Sequence, residues 1–248
     1  MKLQEIFDQL STSEFSQISL GGQPAGQINE NNWQSLVNHI NLGLVQLFTR
    51  FTLKENRIKL LLIPGQTVYP VTSAYAVNAR RARADVRYLL DTPDQPFDDD
   101  ILKIIDVLTD DGVRLEINDH LSDYSVFTPS AAVLRVPVGM VTGDPSTPAD
   151  LRTDHLTLVY RAAHPKVVIP LGFFDPARVD VDLPYSHLEA LLWYIASRAH
   201  NPIGMGQEFN SGNSYYAKYE NACQRLENSG FQVDQGSQGT QFERNGWI

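Results

Sequence analysis

Pro184-Tyr185-Ser186-His187-Leu188-Glu189 opens the stretch that decides how this chain folds, and Gly230 closes it. Ser186 followed three residues later by Glu189 has the form of a capping box, in which each side chain satisfies a free backbone N–H at a helix start. Leu188, Leu191, Leu192, Ile195 and Ala199 then recur at helical spacing on one face. Pro202 disfavours helical geometry at Asn201, so the helix is expected to stop near His200. Asn201 to Gly206 is a breaker-rich loop. A second helix is expected from about Gly212 to Asn228, with Tyr215, Tyr219, Ala222 and Leu226 on its apolar face and Gly230 as its stop.

Outward from this helical pair, the other end of the chain is also helical. Leu3, Ile6, Phe7 and Leu10 give a short amphipathic helix, and Ser13 to Leu20 suits a further helical turn. Gly21 to Gly26 reads as a connector: no strand precedes it and no Lys-Ser/Thr pair follows, as a phosphate loop would need. From Asn29 to Phe51, Trp33, Leu36, Val37, Ile40, Leu44, Leu47, Phe48 and Phe51 form a wide stripe, expected to pack against the helix from Ser186 to His200.

Between the two ends the period changes to that of strands. Arg57 to Ile63 reads as a strand, Pro64-Gly65 as a turn and Gln66 to Val71 as the return strand. Pro70 confines that strand to an edge. Thr72 to Gln95 lacks a clear period and reads as an irregular excursion. Ile101 to Thr109, Val113 to Ile117 after the Asp111-Gly112 turn, Ser125 to Thr128, Ala132 to Val136 and His155 to Arg161 are further strands. Asp98-Asp99-Asp100 lacks the alternation and distal Glu of a calcium loop and suits helix N-terminal charge or solvation. The order is that of an α+β fold: a helical bundle built from both chain ends with an inserted antiparallel β-rich region. The expected parts are 1–56, helical; 57–183, β-rich; 184–230, the helical pair; and 231–248, a tail rich in Gln, Gly and Ser.

Composition narrows the function classes. The chain has 248 residues, 42% of them hydrophobic, enough for a packed core. The single cysteine, Cys223, rules out an internal disulfide or a cysteine zinc cluster and reads as a small buried side chain. A net charge of −9 argues against a general nucleic-acid binder. No apolar run reaches bilayer length, and Met1 to Ile6 turns polar too early for a secretory signal, so a soluble protein with no membrane partner is expected. There is no Gly-x-Ser-x-Gly, His-Glu-x-x-His or Walker motif, and the histidines lack metal-ligand spacing. The expectation is no enzyme, no metal and no cofactor. The alternative is a hydrolase or carbohydrate-binding module with its site in the β-region loops.

The run His187 to Arg198, then His200-Asn201-Pro202 and Tyr215 to Glu220, together with Asn41 to Leu44, Phe97 to Ile104, Phe127-Thr128-Pro129 and Tyr160 to Pro165, resembles in its order the head-to-tail adaptors of short-tailed bacteriophages, the tail tubular A type. The resemblance implies a structural virion protein of the phage neck, assembled in the host cytoplasm. It also implies a ring, a dodecamer by resemblance, between the portal and the tail nozzle, with tail fibre proteins as further neighbours. Packaged DNA would pass through the ring without specific binding.

Two groups of residues are candidate contacts. Arg80, Arg81, Arg83 and Arg87 form a basic cluster on an acidic chain, which reads as a solvated or internally paired loop, as an interface loop facing a carboxylate-rich neighbour through the forked guanidinium donors, or as a DNA contact in a channel; the interface is the expectation carried forward. On the helical pair and the tail the candidates are His200, Asn201, Met205, Glu208, Tyr215, Tyr219, Phe242, Trp247 and Ile248. The tail is too poor in apolar residues to order itself, so its last aromatics are expected to dock on the portal or on a neighbouring subunit.

Overall fold

A computed structural model describes residues 1–13, 15, 26–80, 82–142, 148, 151–170, 172–200 and 207–230. Helices and antiparallel sheets are both present, so the fold class is α+β. The chain divides into two compact units, one of Met1–Leu53 with His164–Ile248 and one of Lys54–Ala163. The β-rich unit is thus shorter than the 57–183 expected. Among the described residues of 164–183 there is no strand; the regular element there is a 3₁₀ turn at Pro176–Arg178, and the stretch falls with the helices.

In the helical unit, α1 (Leu3–Thr12) buries Leu3, Ile6, Phe7 and Leu10, the face its spacing sets out. Leu3 N–H donates to the Val179 carbonyl and Val181 N–H to that of Met1, pinning the chain start to the stretch before the second helical pair. α2 (Glu30–Arg50) buries Leu36, Val37, Ile40, Leu44, Leu47 and Phe48. α4 (Leu188–Ala199) is buried on most of its circumference because α1, α2 and α5 (Gln207–Asn228) all pack on it. α2 crosses α4 at Gly43, where an added Cβ would lie 2.6 Å from Leu191 Cδ1 and 3.0 Å from Tyr194 Cδ1. Asn41 holds the 164–183 stretch by both amide atoms, Oδ1 accepting from Val167 N–H at 2.9 Å and Nδ2 donating to its carbonyl at 2.8 Å. Arg50 joins α2 to α5 through Glu227 at 2.6 Å and Glu220 at 2.7 Å, and these carboxylates drive the guanidinium's already high pKa upward. Cys223 is buried beneath them, and burial pushes its thiol up.

Helix ends depart from the sequence expectation. The Ser186–Glu189 capping box does not form. A 3₁₀ turn at Tyr185–His187 precedes α4, with His187 N–H donating to the Pro184 carbonyl. Ser186 Oγ instead meets His187 Nδ1, and Glu189 binds Trp193 and Arg225. α5 begins five residues earlier than Gly212 and ends as expected, with Gly230 at φ +78°.

The β unit holds two sheets over one core. The first has strand order β3-β1-β7-β4, from β3 (Leu89–Leu90), β1 (Glu55–Leu61), β7 (His155–Ala162) and β4 (Ile101–Thr109). The second has order β2-β6-β5, from β2 (Val68–Pro70), β6 (Val133–Arg135) and β5 (Phe127–Ser130); the short helix α3 (Val138–Thr142) follows it. Ile58, Leu60, Tyr69, Tyr88, Val107, Leu134, Leu156, Leu158 and Tyr160 fill the space between. Gln66 to Val71 does not return along β1 as expected. Ile63 to Gln66 turns with Gly65 at φ +82°, and the buried Tyr69 hydroxyl binds the backbone of Ile63, which sends β2 to the other sheet. The Asp98 to Asp100 run is not a helix start either; it leads into β4. Asp99, at φ +58°, accepts from Ser73 N–H and Oγ, and Asp100 accepts from Asn56 Nδ2 and the Tyr160 hydroxyl, each at 2.9 Å. Asp98 is exposed, as the solvation reading has it, whereas Asp99 and Asp100 clasp the chain.

Each sheet edge is blocked in part. β2 is an edge strand, as Pro70 requires; the carbonyls of Val68 and Pro70 take Gln66 Nε2 and the Tyr88 hydroxyl, and Pro70 has no N–H to offer. Thr128 N–H of β5 is taken by Asn118 Oδ1. β4 is covered by Arg114 and Leu115, the latter donating to Val107, and the two-residue β3 is bridged by Ala76.

Candidate interaction surface

The arginine cluster sits on an ordered excursion between the 3₁₀ turn Ser73–Tyr75 and β3. Its base is tied by Asp99 at Ser73, by Val77 N–H to the Leu89 carbonyl and by Tyr88 N–H to the Tyr75 carbonyl. Tyr75 stacks on Tyr88 with centroids 4.9 Å apart, and Tyr69 meets Tyr88 edge-on at 5.2 Å. Asn78 binds Asp91 through its N–H and its side-chain amide, both at 2.6 Å. The N–H groups of Arg83 and Ala84 converge on the Ala74 carbonyl, and Ala79 turns inward. This backbone is over-determined, so its exposed side chains project from a fixed base.

Those side chains are Arg80, Arg83 and Arg87, all exposed, beside exposed Val77 and Val86. No ion pair among the described residues engages any of the three; Arg87 only caps the Val77 carbonyl at 3.2 Å. Arg81 lies outside the described residues. The nearest acid in sequence, Asp85, is exposed as well. What the arrangement can do chemically is present several guanidinium forks to an anionic surface with little reorganisation.

The helical candidates are dispersed. Tyr215 is half-buried, stacked on Trp193 at 5.6 Å, with Lys218 Nζ 4.4 Å and 5.0 Å over the two rings; His200 packs on Tyr215 at 4.7 Å. Tyr219 is a core residue, meeting Tyr194 edge-on at 5.3 Å, so this chain does not present it to a partner. Its helical spacing marked it as apolar-face, and that reading outweighs the contact role. Glu208 lies in α5, while Asn201, Met205, Phe242, Trp247 and Ile248 lie outside the described residues, as does the tail from 231 onward.

The sequence missed a cleft of about 660 Å³ in the β unit. Thr67, Asn118, His120, Asp123 and Arg135 line it above Phe127 and Val136. Asn118, at φ +58°, shapes its wall by bracketing Thr128; the residues before it, expected as a strand from Val113 to Ile117, form only isolated bridges at Arg114 and Ile117. A second cleft, of about 330 Å³, holds Asp100 and Tyr160, already spent on each other; burial, then the adjacent carboxylate, pushes the Tyr160 hydroxyl up. Among the described residues no group of three His, Cys, Asp or Glu could hold a metal ion, and no helix is long and apolar enough to cross a membrane. No protein-family model matches the chain, and no curated protein matches it.

Proposed function

We propose that the chain is a structural interaction protein, a head-to-tail adaptor of a short-tailed bacteriophage that forms a ring between the portal and the tail nozzle. The observation that carries this reading is the arginine excursion: a rigid base and three exposed guanidinium groups that no carboxylate among the described residues pairs, on a chain of net charge −9. Charges left unpaired on a fixed scaffold are arranged for another molecule. The order of elements and the ordered resemblance add to it. α1 and α2 from one end of the chain, with α4 and α5 from the other, act as a helical bundle, and the β unit is inserted between them. The mechanism is docking. Portal and nozzle bind on opposite faces of the ring, fibre proteins dock at its side, and DNA passes through without specific contacts. No reaction is catalysed and no cofactor is held.

The test is binding to the portal protein encoded in the same genome. Arg80→Glu/Arg83→Glu/Arg87→Glu is expected to stay folded by circular dichroism and to lose portal or ring association. A wild-type chain that stays monomeric with portal present refutes the reading. Tight, salt-sensitive DNA binding that the triple variant loses would reassign the patch to phosphate. The β-unit cleft favours a second reading, a carbohydrate-binding module or hydrolase, since its volume suits a small ligand and polar groups ring an apolar floor. Oligosaccharide binding abolished by Asp123→Ala would favour that reading.

A further inference from the structure

The loop from Asn118 to Ser125 makes one wall of the β-unit cleft, and hydrogen bonds fix its shape. Asn118 N–H donates to the Val126 carbonyl and Val126 N–H to that of Glu116. Ser125 Oγ accepts from Asp119 N–H and donates to the Glu116 carbonyl, both at 3.0 Å, and Asp119 Oδ1 accepts from Leu121 N–H at 2.9 Å. The floor belongs to the second sheet. Phe127 and Arg135 are register partners across β5 and β6, so both side chains rise from one face, opposite to that of the core-filling Leu134. His120 leans on the Phe127 ring at 4.9 Å, and Val136 extends the apolar floor. Two of the polar groups in the cleft are spent on its own walls, the Asn118 amide on Thr128 and the Ser125 hydroxyl within the loop. Arg135 and Asp123 are not. Both are exposed, and no ion pair among the described residues engages either, so they line one cleft as opposite charges that have not met.

We infer that this cleft binds a small zwitterion with an apolar body, an apolar α-amino acid or a short apolar peptide, its carboxylate on Arg135, its ammonium on Asp123 and its side chain on the Phe127–Val136 floor. Charge selects this class. An anion alone would meet Asp123 and the field of a chain of net charge −9. A cation alone would meet Arg135. A neutral ligand would strip water from both charges and return no counter-charge to either. A zwitterion satisfies both: the guanidinium fork takes the two carboxylate oxygens, the Asp123 carboxylate takes the ammonium, and no net charge is added. The cleft, of about 660 Å³, leaves room for an apolar side chain beyond the charged groups. Its fixed loop wall lowers the ordering that binding would otherwise require. The adaptor reading calls for no ligand here, so this site goes beyond it, and the charge pair sets it apart from the saccharide alternative for the same cleft.

The test is calorimetric titration of the full-length protein with L-leucine, L-phenylalanine and the dipeptide leucyl-leucine, with thermal unfolding as the fold control. Arg135→Gln and Asp123→Asn, both at exposed positions, are expected to unfold at nearly the wild-type temperature and each to weaken binding about 10- to 100-fold. N-acetyl-leucine, which lacks the ammonium, is expected to bind more weakly and to ignore Asp123→Asn. Leucine amide, which lacks the carboxylate, is expected to bind more weakly and to ignore Arg135→Gln, since a partner already removed cannot be lost twice. Tighter binding of the dipeptide assigns the site to peptide ends, and tighter binding of leucine or phenylalanine assigns it to free amino acids. No binding of any of the three up to about 10 mM, a concentration at which even weak specific contacts populate, overturns the inference. So does N-acetyl-leucine or leucine amide that binds as tightly as leucine. An oligosaccharide that binds through Asp123 while the zwitterions do not overturns it as well and leaves the saccharide reading in place. In every case the portal experiment judges the adaptor reading separately.

Discussion

Gly43 sets how closely α2 and α4 approach, and a cycle of two small substitutions measures that contact. Gly43→Ala adds one methyl group, 2.6 Å from Leu191 Cδ1 and 3.0 Å from Tyr194 Cδ1. Removing a mid-helix glycine favours the helix by about 1 kcal/mol. Forcing the methyl group into a filled core costs about 1–3 kcal/mol, because Leu191 and Tyr194, both buried, must leave their rotamers. The single variant is therefore expected to lie between neutral and about 2 kcal/mol destabilised. Leu191→Ala, at a fully buried site, is expected to cost about 2–5 kcal/mol. In the Leu191→Ala background the obstructing methyl is gone. Gly43→Ala then keeps its helix gain and refills part of the cavity, so it turns stabilising by about 1 kcal/mol. The coupling between the two sites should be at least about 1 kcal/mol. Urea unfolding followed by circular dichroism at 222 nm reads it from the helical unit. Additivity within about 0.5 kcal/mol would falsify the close crossing at Gly43.

Three further outcomes follow from named contacts. Arg50→Gln strands Glu220 and Glu227 on α5 and should cost about 1–2 kcal/mol, a discounted figure because the pair is part-exposed; unchanged urea midpoints for α5 would argue that the ion pairs contribute nothing. Burial holds His39 and His187 below the usual imidazole range, so the folded state binds fewer protons than the unfolded chain. Stability should be full above about pH 6.5 and fall as pH drops below it; melting temperatures that rise from pH 7 to pH 5 contradict the neutral burial of both rings. Asp99→Ala loses the clasp on Ser73 and places a methyl-bearing residue at φ +58°, at a cost of about 2–3 kcal/mol. Asp99→Gly keeps the backbone geometry and should cost less, and equal losses would mean that the backbone carries no part of the effect.

Much of the secondary structure was legible because it rests on period alone. The stripe from Leu36 to Phe48 and the alternation along His155 to Arg161 name their elements without reference to neighbours. Partnership was less legible. Nothing between Arg57 and Val71 distinguishes a hairpin from a strand that crosses to another sheet; the choice is made by the Tyr69 hydroxyl reaching Ile63, a contact visible only after folding. The capping box failed for a related reason: the Ser186 hydroxyl and the Glu189 carboxylate find side-chain partners, His187 for the first and Trp193 and Arg225 for the second. Within the candidate surface, the arginine run could be read directly from sequence, whereas its freedom from internal carboxylates could not, since Asp91 and Asp99 lie near enough in sequence to have paired with it and instead bind Asn78 and Ser73.

The partial blocking of the sheet edges has a consequence for life at high local concentration. A strand with open amides and carbonyls is a template that another chain can extend, and repeated extension leads to fibres. Here Pro70, the Gln66 and Tyr88 caps, Asn118 on β5, the Arg114–Leu115 cover over the end of β4 and the brevity of β3 shorten the backbone that a visiting strand could read. A visiting strand meets blocked backbone at these positions, which makes the β unit a poorer template for polymerisation than open edges would.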